Sequence, residues 1–232
     1  MKHHRFYLAT LEANKSNVAI DDPRLIHQWS RVLRLTSGSK VVLFGNAQEA
    51  LYEIVHMQKT SARLRCIKTL QQTLPTRMTY LAWSLLKKDK NDWVIQKATE
   101  LGVTHLIPVQ AERCARSDIS NIRMERWQKI ALEASEQCGR SDVPTISQPA
   151  ELDSTLTALA DKNVVMYIAQ QDGDTQLQLH VDESLAVLIG PEGGWSDAEK
   201  QLFSARDVRT LHLSQFTLRA ETAAIIASSR LA

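Results

Sequence analysis

"SLAVLIGPEGGWSDAEK", residues 184–200, decides the fold. Its first seven residues are nearly all apolar or small, as expected of a strand covered on both faces. Pro191 cannot continue a ladder, Gly193 and Gly194 free the backbone, and Ser196 with Glu199 forms an S-x-x-E capping box that opens a helix. A strand, a glycine bend and a helix start make one step of a parallel α/β sheet, whose ligands sit at the carboxyl ends of the strands. The spacing G-P-E-G-G matches neither G-x-G-x-x-G nor a phosphate loop ending in Gly-Lys-Ser/Thr. A nucleotide-like ligand held without a phosphate grip fits it; so does a tight turn needed only for chain reversal, and the bend alone leaves both open.

The same rhythm extends upstream. "MTYLAWSLL" (78–86) precedes a helix in "DKNDWVIQKATELG" (89–102), with Asn91 or Asp92 positioned to cap and Gly102 to stop it. "THLIPV" (104–109), a long helix over 122–138 ending at Gly139, and "NVVMYIA" (163–169) continue the alternation that predicts a parallel sheet flanked by helices.

Before residue 75 the texture differs. Residues 40–70 show short β-branched runs with turns at Gly45–Asn46 and over 59–61, a meander of antiparallel strands. One helical piece over 23–35 carries Leu25, Ile26, Trp29, Val32 and Leu33 on a stripe, with Arg24, Arg31 and Arg34 largely off it. "TLPTR" (73–77) is the linker. The expected domains are therefore 1–74, small and β-rich, and 75–232, α/β.

Of the 232 residues 44% are hydrophobic and 23% charged, ordinary globular composition, and no window approaches the roughly 20 apolar residues of a membrane span. A cytoplasmic location is the expectation. Net charge is +2, unevenly spread: residues 1–74 hold 11 Lys and Arg against 5 Asp and Glu, a net of +6, and the rest 17 against 21, a net of −4. A positive module attracts phosphate, although it also serves solubility alone. Cys66, Cys114 and Cys138 are odd in number and form no CxxC pair, which argues against a disulfide framework and a zinc site; they are expected to pack as reduced thiols.

A second stretch, "LHLSQFTLRAETAAIIASSRLA" (211–232), leads from a strand over 209–213 into a helix rich in small residues. Ala220, Ala223, Ala224 and Ala227 allow close packing against another backbone. Arg219, Glu221 and Thr222 open the helix as site candidates, though Glu221 also suits a helix N-terminus and Arg219 could simply pair with it.

"IGPEGGWSDAEK" followed by "TLRAETAA" resembles the SPOUT class of S-adenosylmethionine-dependent RNA methyltransferases, and within it the RsmE group, which methylates N3 of a uridine in small-subunit ribosomal RNA. "WVIQKATELGVTHLIPVQAERC", "RWQKIALEASEQCGRSDVPTI" and "HQWSRVLRL" agree, so the resemblance runs from Arg5 onward. It implies an N-terminal PUA-like β-barrel for RNA, a C-terminal α/β domain tied in a deep trefoil knot, and a homodimer with the cofactor pocket beside the partner subunit. On this resemblance Ile189, Gly190, Pro191, Glu192, Gly193 and Gly194 fall on one cofactor loop, Leu213, Ser214 and Leu218 on a second, and Ala169 supplies a third wall. Where the family carries a glycine and then a basic residue two positions on, this chain has Ser214 and Phe216.

Methylating a uracil N3 requires its proton to leave and negative charge to spread onto the flanking carbonyls. Arg219 is the candidate donor to a carbonyl, and Glu221 the orienter or proton acceptor. No metal and no cysteine nucleophile is expected. The target base must leave its stack, and Arg5, Arg24, Arg31, Arg34, Lys87, Lys88, Lys90, Arg113 and Arg116 are candidate phosphate contacts. A ribose 2′-hydroxyl target and a noncatalytic RNA-binding assembly factor stay open as alternatives, whereas a dinucleotide oxidoreductase lacks its fingerprint.

Overall fold

The structure is a computed structural model that describes residues 3–11, 16–45, 48–114, 119–174 and 183–231. The chain divides into two compact units, Met1–Leu74 with Ser135–Asp142, and Pro75–Ala134 with Val143–Ala232.

The first unit is a five-stranded mixed sheet. Its strands β1 (His4–Tyr7), β2 (Asn17–Ile20), β3 (Lys40–Gly45), β4 (Gln48–Met57) and β5 (Ala62–Thr69) lie in the order β1-β3-β4-β5-β2. The expected meander is there as β3, β4 and β5, paired antiparallel, while β1 joins β3 in parallel. Register shifts in β4 at Leu51/Tyr52 and Ile54/His56 bend that strand.

Helix α1 (Pro23–His27) starts where Asp22 accepts the Arg24 N–H and proline takes the first turn. It then widens into a π-turn over Gln28–Val32, closed by Leu33 N–H to Gln28 carbonyl at 2.9 Å. The wider turn corrects the expected stripe: Leu25, Ile26 and Trp29 are buried, but Val32 is rotated outward and is 64% exposed.

A buried polar cluster ties residues 135–142 into this unit. Glu49 receives both the Arg5 guanidinium and the Ser141 hydroxyl; Ser141 Oγ in turn accepts Thr73 N–H at 2.8 Å, and Arg5 also donates to the Arg140 carbonyl at 3.0 Å. Arg5 is thus bound inside the unit and is not presented as a phosphate contact.

The second unit holds strands β6 (Thr79–Ser84), β7 (His105–Gln110), β8 (Thr145–Ile146), β9 (Ala150–Glu151), β10 (Val165–Asp174), β11 (Leu185–Ile189) and β12 (Arg209–Leu211). The sheet order is β12-β10-β11-β6-β7-β8, with β9 beside β7, and every pair is parallel. Both faces are covered, as the continuous apolar runs require. Leu81, Trp83, Val187 and Ile189 point into a core with helices α2 (Lys90–Glu100), α3 (Asn121–Cys138) and α6 (Ala220–Leu231). Tyr80, Ala82, Ala186 and Leu188 point into the other, with α4 (Leu152–Ala160) and α5 (Asp197–Ala205).

Three local expectations are corrected here. Neither Asn91 nor Asp92 caps α2; Asn91 is buried and binds Trp83 Nε1, Leu86 N–H and Leu86 carbonyl, and Asp92 accepts Trp127 Nε1. Ala220, Ala224 and Ala227 are buried in this chain's own core, so that stripe packs internally and is not offered to a partner subunit. Cys138 is exposed rather than packed, whereas Cys66 and Cys114 are half-buried. Among the described residues no helix is long and apolar enough to cross a membrane.

Candidate functional site

The carboxyl ends of β10 and β11 and the start of α6 enclose an open cleft of about 690 Å³. Its floor is the glycine bend. Gly194 takes φ +68° and donates to the Pro191 carbonyl at 2.9 Å, a turn that a side-chain-bearing residue would strain. A Cβ on Gly190 would meet the Trp195 indole at 3.0 Å. The capping box forms as expected, Glu199 Oε2 accepting Ser196 N–H at 2.7 Å and Ser196 Oγ accepting Glu199 N–H at 3.2 Å. The other carboxylate oxygen of Glu199 accepts the Glu112 N–H at 2.9 Å, which the sequence did not foretell.

The second wall is residues 213–218, and it is held from afar. Arg230, near the end of α6, donates to the His212 and Leu213 carbonyls at 2.9 and 3.2 Å. His212 Nδ1–H donates to the Gln171 carbonyl at 2.6 Å. Close approach is possible because position 173 is glycine: a Cβ there would lie 2.5 Å from the Leu211 carbonyl carbon. Gln171 Nε2 donates to Thr217 Oγ1 at 3.1 Å, across the boundary between the cleft and a smaller adjoining hollow of about 150 Å³.

The ten candidate cofactor residues converge on this pair of hollows. Ile189, Gly190, Pro191, Glu192, Gly193 and Gly194 line the larger, Leu213 and Ser214 the smaller, and Ala169 and Leu218 both. Ser214 Oγ accepts the Phe216 N–H at 3.1 Å, a small turn that leaves Phe216 69% exposed. Gln170, Gln171, Thr217 and Trp195 also line the cleft and were missed, since nothing in their local pattern marks them.

Arg219 lines the cleft, is exposed, and its guanidinium engages no partner among the described residues. It does not pair with Glu221. That carboxylate is buried and lies 3.2 Å from Lys90 Nζ, which also reaches Glu192 Oε1 at 3.4 Å. Lys90 is therefore an ion-pair partner of the glycine bend and of α6 rather than a free phosphate contact, and neither it nor Glu221 lines either hollow. Arg113 is likewise at the cleft, donating to the Gly193 carbonyl at 3.2 Å. Arg24, Arg31, Arg34, Lys87 and Lys88 are exposed, and Arg116 lies outside the described residues. No group of His, Cys, Asp and Glu among the described residues could hold a metal ion.

The cleft suits a flat, mostly uncharged heterocycle with a polar tail. Around the glycine bend its walls are main chain, small residues and aliphatic side chains, with Arg113, Glu192, Lys200 and Arg219 the charged residues of the lining, and the buried Trp195 Nε1–H beside Gly190 has no partner among the described residues.

A family model described as an RNA methyltransferase domain matches residues 72–232. Ribosomal RNA small subunit methyltransferase E of Bacillus subtilis is 32% identical over 88% of this chain and 85% of its own length. The protein of that name from Rickettsia conorii is 29% identical over 98% and 94%. The crystal structure of a ribosomal RNA small subunit methyltransferase E from Neisseria gonorrhoeae bound to S-adenosyl methionine superposes with a TM-score of 0.89, at 26% identity, covering 98% of this chain and 95% of that one.

Proposed function

This chain belongs to the RNA methyltransferase family that includes the Bacillus subtilis and Rickettsia conorii enzymes, and from that premise we propose that it transfers a methyl group from S-adenosylmethionine to N3 of a uridine in small-subunit ribosomal RNA. The observation that carries the reading is convergence: ten residues taken from three separate segments line two adjoining hollows, with an arginine at the margin that has no partner among the described residues. Those hollows fit the cofactor. Gly190, Gly193 and Gly194 expose main-chain groups to it, Ile189, Leu218 and Ala169 give apolar contact, and Trp195 Nε1–H is a donor with no partner among the described residues. When bound, the cofactor supplies a methyl group activated by a positively charged sulfur.

The chain's own residues must orient and activate the uracil. Its N3 is an imide nitrogen whose lone pair becomes available only as the proton departs. Arg219 donates hydrogen bonds to a flanking carbonyl oxygen, where charge accumulates. Glu221, beside the Lys90 ammonium, accepts the N3–H hydrogen bond and takes that proton as the nitrogen is methylated.

The finer architecture is part of the same proposal. The segment 1–74 is a PUA-like barrel that holds RNA through exposed Arg24, Arg31 and Arg34; 75–232 is a trefoil-knotted SPOUT domain, extended toward RNA by Lys87, Lys88 and Arg113; and the protein acts as a cytoplasmic homodimer. The test supplies radiolabelled cofactor with isolated small subunits and with free ribosomal RNA, then identifies the labelled nucleoside. N3-methyluridine is the expected product. Label on a ribose 2′-hydroxyl would move the target, and no label with either substrate would make the protein a noncatalytic binder.

A further inference from the structure

The Lys90 ammonium stands between the glycine bend and the start of α6, 3.4 Å from Glu192 in the bend and 3.2 Å from Glu221 in the first turn of the helix. Its own place is fixed, because the neighbouring Asn91 is bonded to Trp83 and Leu86 at the end of β6. A path thus runs from β6 through Asn91 to Lys90 and out to the glycine bend and the first turn of α6. Glu221 Oε2 is buried and out of hydrogen-bond alignment with any donor among the described residues, so the Lys90 point charge is what holds it. Pairing with Glu221 foremost, and with Glu192 as well, raises the ammonium's pKa above the ordinary lysine value against a smaller desolvation effect; Lys90 is charged at any physiological pH.

Without that ammonium two carboxylates would face each other beside a hollow meant for a cation. With it, the three groups sum to a single negative charge. Removing Lys90 should therefore act in opposite directions on two steps: Glu221 loses its placement, while the attraction for a positively charged ligand grows.

We propose that Lys90 is a positioning residue for methyl transfer, holding Glu221 toward the reacting edge of the base and setting the charge of the cleft wall that meets the sulfonium. This rests on the reading of the cleft as a sulfonium-donor site.

The test compares wild type, Lys90→Met, Lys90→Arg and Glu192→Gln, with calorimetric binding of S-adenosylmethionine and of its neutral thioether product, and single-turnover methylation of small subunits. Lys90→Met is expected to slow transfer by about 30-fold while leaving S-adenosylmethionine affinity unchanged or up to about threefold tighter, and to raise its preference over the thioether by about threefold. Lys90→Arg keeps the charge and restores at least about a third of the rate. Glu192→Gln removes a negative charge and lowers the preference by about twofold, which reads the charge arrangement even if Lys90→Met fails to fold. A Lys90→Met rate within about threefold of wild type, or equal weakening of both ligands with their ratio unchanged, overturns the proposal. Wild type that transfers no methyl group yet shows the ratio shifts overturns the assigned reaction and supports the charge arrangement.

Discussion

Residues 191–194 and 213–218 wall the same cleft, but they are built differently. The first loop is held largely by its neighbours in sequence: the Pro191–Gly194 turn and the Ser196–Glu199 capping box, with Arg113 and Lys90 adding distant contacts. The second has only the short Ser214–Phe216 turn of its own, and otherwise depends on Arg230, Gln171 and the close backbone approach that Gly173 permits. One loop is coded where it lies; the other is coded at a distance. The locally coded loop offers main chain to a ligand, while the remotely coded one leads into Arg219 and Glu221, the candidate reacting groups. Substitutions far from the cleft should therefore disturb the second loop, and with it the placement of Arg219, more readily than the first.

Four substitutions would break or sharpen that contrast. Arg219→Ala has the largest expected effect, about a thousandfold loss of methyl transfer with S-adenosylmethionine affinity within about threefold, measured by rapid-quench kinetics and calorimetry. A parallel collapse of affinity would mean that Arg219 itself serves cofactor capture. Gly173→Ala puts a Cβ against the Leu211 and His212 backbone and is expected to cost about 3 kcal/mol, read from the urea midpoint. Arg230→Ala removes charged donors from two carbonyls, at about 2 kcal/mol, and should speed amide exchange over 213–218 while leaving Gly193 and Gly194 unchanged. Ser196→Ala deletes half of the capping box, at about 1 kcal/mol, and should reverse that exchange pattern. If either variant loosened both loops equally, the distinction would fail.

The same contrast explains what was legible in the sequence. The strand, bend and capping box at 184–200 could be read because each signal concerns residues within a few positions of one another. The alternating strands and helices after residue 75 were legible for that reason too. Gly173 and Gln171 were not: their importance comes from β12 lying beside β10, and no local pattern announces a neighbour some 40 positions away. Ala169 and Leu218 entered only through family resemblance. Arg5 and Lys90 show a further limit, since a basic residue looks alike in sequence whether it faces solvent or a buried carboxylate. At Val32 the periodicity itself misled, because one π-turn shifts the phase of every residue after it.

The glycines and alanines that line the larger hollow have little or nothing to truncate. A screen that shortens side chains one at a time would pass over much of this wall and score it as dispensable. Its constraint shows in the opposite experiment, where bulk is added: the surface is defined by what must stay missing, and drift there is silent to deletion and punished by growth.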